Sequence, residues 1–86
     1  MKIYVVTEML SSGNENEVGN IWAFSLRWQA IAFIGKRYAD ELARLEKTVG
    51  VFEAEQSDDG WYSIVDKDGD SYECYISEAV EIDKEV

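Results

Sequence analysis

The sequence predicts an α+β fold, an antiparallel sheet of four to five strands with one long helix packed on one face, in the order β-β-α-β-β-β. Three observations predict it. Residues 26–47 carry apolar side chains at three- and four-residue steps, five other stretches are rich in β-branched and aromatic residues, and short clusters of Gly, Ser, Asn and Asp separate them.

Residues 2–10 (KIYVVTEML) read as the first strand, with Ile3-Tyr4-Val5-Val6 apolar enough to be covered on both faces and so expected at the centre of the sheet. The polar cluster from Ser11 to Asn16 turns the chain into residues 18–24 (VGNIWAF), where Gly19 marks a bulge. Ser25 is a suitable N-cap. The helix that follows shows its core stripe as Leu26, Ala30, Ile31, Ile34, Tyr38, Leu42 and Leu45, and ends at Thr48 with Arg44 and Lys47 where bases suit the dipole. Residues 49–56, 61–67 and 70–77 alternate as three more strands. The last two are joined at Asp68-Gly69, a strong hairpin signal because Gly tolerates positive φ. Residues 1–86 form one domain, too short for two cores, with an acidic C-terminal tail at about 79–86.

Composition excludes several classes. Aromatic residues make up 13% and hydrophobic residues 47% of the chain, enough to fold despite 30% charged residues. No apolar run approaches the roughly 20 residues a membrane helix needs, so a cytoplasmic location is expected. A single Cys, Cys74, and no His at all leave no zinc or haem constellation and no nucleophile–base pair. Cys74 reads as a small core residue. The sequence Asp66-Lys67-Asp68-Gly69-Asp70 suggests a calcium loop, but counted from Asp66 the obligatory Gly and Glu positions hold Ser71 and Ser77. No cofactor, metal or catalytic residue is therefore expected, and no enzyme.

The charge is lopsided. Net charge is −10, residues 1–48 are neutral with six acids and six bases, and residues 49–86 hold twelve acids against Lys67 and Lys84. Such a field repels nucleic acid and anionic membrane and attracts basic protein surfaces. Glu53 and Glu55 fall on one strand face, opposite Phe52 and Ala54, while Asp58, Asp59, Asp66, Asp68 and Asp70 lie in turns expected at one end of the sheet, with Glu73 extending the row. Carboxylates at strand spacing can imitate a nucleic-acid backbone, and Trp61 or Tyr62 would anchor such a contact. The competing account is that charge serves solubility alone. A second candidate surface is the helix face bearing Ala32, Gly35, Ala39 and Ala43 beside Trp28, where small residues would let another backbone approach. Trp28, Gly35 and Ala39 are its self-association candidates, and Gly35, at up to about 1 kcal/mol in a helix, wants a reason.

The opening from Lys2 to Glu8, followed by Trp22-Ala23-Phe24-Ser25 and a helix with Ala30 and Phe33, resembles a pattern common in small phage-encoded proteins, in which a strand reading YVVTE precedes an FS-capped helix. The resemblance covers roughly the first half of the chain and implies a phage or prophage origin. In size, acidity and lack of a catalytic constellation the chain is similar to anti-CRISPR proteins. That likeness implies a stoichiometric inhibitor of a basic host nucleic-acid-binding protein, acting in the bacterial cytoplasm. The alternatives are a structural or accessory protein that self-associates through its helix, and an immunity protein or antitoxin that binds a basic toxin.

Overall fold

The computed structural model describes residues 2–81 and shows the expected order, β1 (Lys2–Ser12), β2 (Glu15–Phe24), α1 (Arg27–Lys47), β3 (Val51–Ser57), β4 (Trp61–Asp66) and β5 (Ser71–Glu81). The five strands form one antiparallel sheet, β2-β1-β5-β4-β3, with α1 across one face. The central strand is β5, not β1. The chain's first and last strands pair along their whole length, from Lys2 opposite Glu81 to Ser11 opposite Ser71, which places β1 between β2 and β5. That pairing also corrects the expected tail: residues 79–81 belong to β5, and residues 82–86 lie outside the described residues.

The helix has 21 residues, about 31 Å at 1.5 Å per residue, and carries the chain from one edge strand to the other. Its N-cap is Leu26 in an extended conformation with no side-chain cap bond, so Ser25 does not cap it. At the other end the Thr48 hydroxyl donates to the Arg44 carbonyl at 3.0 Å, and Gly50, at φ +90, donates its N–H to the Leu45 carbonyl at 2.7 Å. These bonds satisfy carbonyls that a helix end leaves without partners.

Between α1 and the sheet lie Val6, Ala30, Ile34, Leu45, Tyr62, Ile64 and Cys74, all buried. Phe33 packs against Trp22 and Phe24 with ring centroids at 4.7 and 5.1 Å, and Tyr38 meets Tyr62 at 5.5 Å. Of the predicted stripe, Ala30, Ile34 and Leu45 are buried and Leu26 is exposed, because it precedes the first helical turn. Strand side chains alternate between faces, so the partners of these core residues along each strand point to the other, uncovered face.

Three irregularities set the phase of that alternation. In β1–β2 the residue pair Gly19-Asn20 stands opposite the single residue Glu8, the bulge expected at Gly19. In β5 the extra residue is Ser77, whose hydroxyl donates to the Val5 carbonyl and accepts from Thr7. In β3 it is Phe52, which is 73% exposed instead of opposing Glu53 across the strand.

Candidate functional site

The uncovered sheet face is defined by register. One row runs Glu55, Ser63, Glu73, Met9 and Val18 across all five strands; the next runs Ser57, Trp61, Tyr75, Thr7 and Ile21. Glu53 shares the face one step along β3, and Glu78, opposite Val5, shares it on β5. Glu55 and Glu73 are two strands apart, about 9.5 Å, and Glu53 and Glu55 are about 7 Å apart along their strand. All four glutamates are exposed.

Apart from Lys67, in the β4–β5 turn, the described bases lie on the other side. Arg27, Lys36, Arg37, Arg44 and Lys47 all sit on α1, and Lys2 stands over the Tyr4 ring on the helix-covered face. Among the described residues the strand positions of the uncovered face carry carboxylates and no base. The sequence asymmetry between halves thus becomes an asymmetry between faces.

Not every acid expected at this surface belongs to it. Asp58 and Asp59 sit in the β3–β4 turn, whereas Asp68 and Asp70 sit in the β4–β5 turn, at the opposite end of β4 and roughly 20 Å away. One acidic end is therefore replaced by two, because consecutive antiparallel hairpins turn at alternate ends. Arg27 donates to the Asp59 carbonyl at 3.3 Å, so a base stands beside the first turn. Asp70 instead borders a cleft of 250 Å³ with Leu10, Glu15, Glu17 and Tyr72.

Asp66 is buried. Its Oδ1 accepts the N–H groups of Asp68 at 2.9 Å and Asp70 at 3.0 Å, and its Oδ2 accepts the Tyr72 hydroxyl at 3.0 Å. That carboxylate is spent inside the turn and offers nothing to a partner. Burial, followed by the bond to Asp66, raises the Tyr72 hydroxyl above its ordinary pKa. Of the two aromatic anchors expected, Trp61 is 38% exposed on the uncovered face, while Tyr62 points into the core and is 1% exposed. Alternation allows only one of two adjacent strand residues to face out.

On the helix, Trp28 is 65% exposed and Ala39 is exposed, but Gly35 faces the sheet edge: a Cβ there would lie 3.5 Å from the Gln56 amide nitrogen of β3. That is ordinary van der Waals contact with the end of a flexible side chain, so no clash within the fold demands a glycine at this position.

The sequence reading missed a polar cluster under α1. Glu8 is buried in the core phase of β1, between Val6 and Leu10; Asn20 donates to its Oε1 at 2.9 Å and Arg37 to its Oε2. Arg37 lies over the Trp22 ring at 5.5 Å and approaches Glu41 at 3.8 Å, Glu41 in turn accepts from Arg44, and Arg44 lies over Tyr72 at 5.7 Å. Burial opposes the charge on Arg37, yet the bond and charge of Glu8 outweigh it and hold the guanidinium protonated above its ordinary pKa. The signal was available: Glu8 stands at the alternation phase of Tyr4 and Val6, three residues after Ile34 stands Arg37, and a buried acid must find a base.

In the same row across β1, β5 and β4 lie Glu8, Cys74 and Tyr62. Burial, and next the Glu8 charge, pushes the Cys74 thiol up to about 11, which leaves it protonated and unreactive at neutral pH. Burial likewise raises the Tyr62 hydroxyl. Neither is poised as a nucleophile.

No helix among the described residues is long and apolar enough to cross a membrane, and none of their His, Cys, Asp and Glu residues cluster to hold a metal ion. No family model matches the chain, and no curated protein or solved structure is detectably similar to it. What defines the protein is therefore its architecture: a two-layer α+β sandwich whose helix carries five bases and three acids and whose bare sheet face carries carboxylates and no base among the described residues.

Proposed function

We propose that this protein is a non-enzymatic inhibitor of the anti-CRISPR kind, which places the uncovered acidic face of its sheet against a basic surface of a host nucleic-acid-binding protein. The observation that carries the reading is the uneven charge of the two faces: Glu53, Glu55, Glu73 and Glu78 without a base on one side, five bases against three acids on the helix of the other. A carboxylate array of this kind speeds encounter with a Lys/Arg-lined channel and repels free nucleic acid. Trp61, beside Tyr75 in the same face, supplies the aromatic anchor that charge alone lacks.

The test is capture by the tagged protein from nuclease-treated bacterial lysate carrying CRISPR systems, washed at low and high salt. A basic nucleic-acid-binding protein should be recovered at low salt and lose its nucleic acid on binding. The folded triple variant Glu53→Lys, Glu55→Lys, Glu73→Lys should bind it at least roughly tenfold more weakly. Undiminished binding by that variant rejects the reading.

A further inference from the structure

The uncovered face is divided in two. Its carboxylates stand on β3 and β5, whereas on β1 and β2 the same face presents Val5, Met9, Val18, Ile21 and Ala23, with no charge among them. Ile21 is 62% exposed and Val18 53%. A sheet with one covered face ordinarily turns polar side chains to water on the other. Here β1 and β2 are largely apolar on both faces: Thr7 is the one polar side chain amid Val5, Met9, Val18, Ile21 and Ala23, and Tyr4, Val6, Trp22 and Phe24 line the helix side around the Glu8 cluster.

The dimensions suit one occupant. Two strands span about 10 Å, the width of an α-helix with its side chains. An anionic membrane is repelled by the carboxylates along the edge of this strip, and a second copy brings a net charge of −10 against another −10. A helix whose apolar stripe is flanked on one side by Lys and Arg satisfies both halves of the face at once: its stripe lies over β1 and β2 while its basic flank reaches Glu73 and Glu78 on β5, one strand away from β1.

We infer that the partner presents a basic amphipathic α-helix, which docks on the uncovered face along β1 and β2 and converts the two-layer fold into an α/β/α sandwich. The inference rests on the reading of this face as the partner surface and adds the shape and chemistry of what covers it. Helix-in-groove recognition of this type takes its anchors at i, i+3, i+4 and i+7.

The test is an NMR titration of the isotope-labelled full chain with a designed peptide of about 18 residues, roughly 27 Å as a helix, with Leu on one stripe and Lys along one flank. A scrambled peptide of identical composition serves as the comparison. Amide shifts should concentrate on β1, β2 and β5, the scrambled peptide should bind at least roughly tenfold more weakly, and Ile21→Asp should lower affinity by a similar factor, as should Val18→Asp. Both sites are exposed, so the variants fold. Equal binding of the two peptides, both lost on reversal of Glu53, Glu55 and Glu73, overturns the helix and leaves the basic-partner reading standing. Shifts confined to α1, or no shifts with either peptide, overturn the docking site, and the lysate capture then judges the broader reading by itself.

Discussion

A Cβ on Gly19 would stand 2.6 Å from Oε1 of Glu8, inside the distance two such atoms tolerate. The glycine is in the bulge because the carboxylate lies over it, and that carboxylate is held by Asn20 and Arg37 and cannot swing aside freely. Gly19→Ala should therefore destabilise the fold by about 1–3 kcal/mol in urea denaturation. In a Glu8→Ala background the same change should cost far less, and a double-mutant cycle reads the difference. Additive costs would show that backbone conformation, not the carboxylate, excludes a side chain there.

Removing one partner of a buried ion pair costs more than removing one from an exposed pair. Glu8 is 6% exposed and its loss leaves Arg37 over Trp22 with only Glu41, 3.8 Å away, as an acidic neighbour, so Glu8→Ala should cost about 2–4 kcal/mol. Arg44, Glu41's other partner, has a half-exposed side chain, and Arg44→Ala should cost no more than about 1 kcal/mol. Equal losses in thermal or chemical denaturation would refute the ranking.

Asp66 and Asp68 are two residues apart in one acidic turn and should behave oppositely. Asp66→Ala strips an acceptor from two backbone N–H groups and the Tyr72 hydroxyl, and should cost about 2–3 kcal/mol. Asp68 is exposed, and Asp68→Ala should fall within about 0.5 kcal/mol. Comparing their denaturation midpoints checks both.

Alkali should destabilise the protein through its core thiol. Cys74 is raised from 9.0 to about 11 by burial first and by the Glu8 charge second. Between those values the unfolded thiol has lost its proton while the folded one keeps it, so the unfolded state binds fewer protons and stability falls as pH rises. The contribution is fully present below pH 9 and should decline by about 2 kcal/mol toward pH 11. Tyr62, also raised by burial, acts in the same direction at higher pH. Cys74→Ala should lower stability at pH 7 through the cavity it leaves, yet flatten the decline between pH 9 and 11; an unchanged slope would assign the alkaline loss elsewhere.

Local periodicity was enough to read six elements and their order from the sequence, because a 3.6-residue apolar repeat and strand alternation separated by Gly-containing turns are properties of neighbours along the chain. The bulge at Gly19, the hairpin at Gly69 and the burial of Cys74 were legible for the same reason. Pairing between distant strands was not. That β5 rather than β1 is central, that Asp66 turns inward while Asp58 and Asp68 lie at opposite ends, and that Glu8 meets Arg37 across 29 positions are all consequences of which strands lie side by side and which face α1 covers. The sequence by itself determined how much negative charge the C-terminal half carries. Only the tertiary structure decided that Glu53, Glu55, Glu73 and Glu78 share one bare sheet face, since the side chains of a strand acquire an inside and an outside only when something packs against one of them.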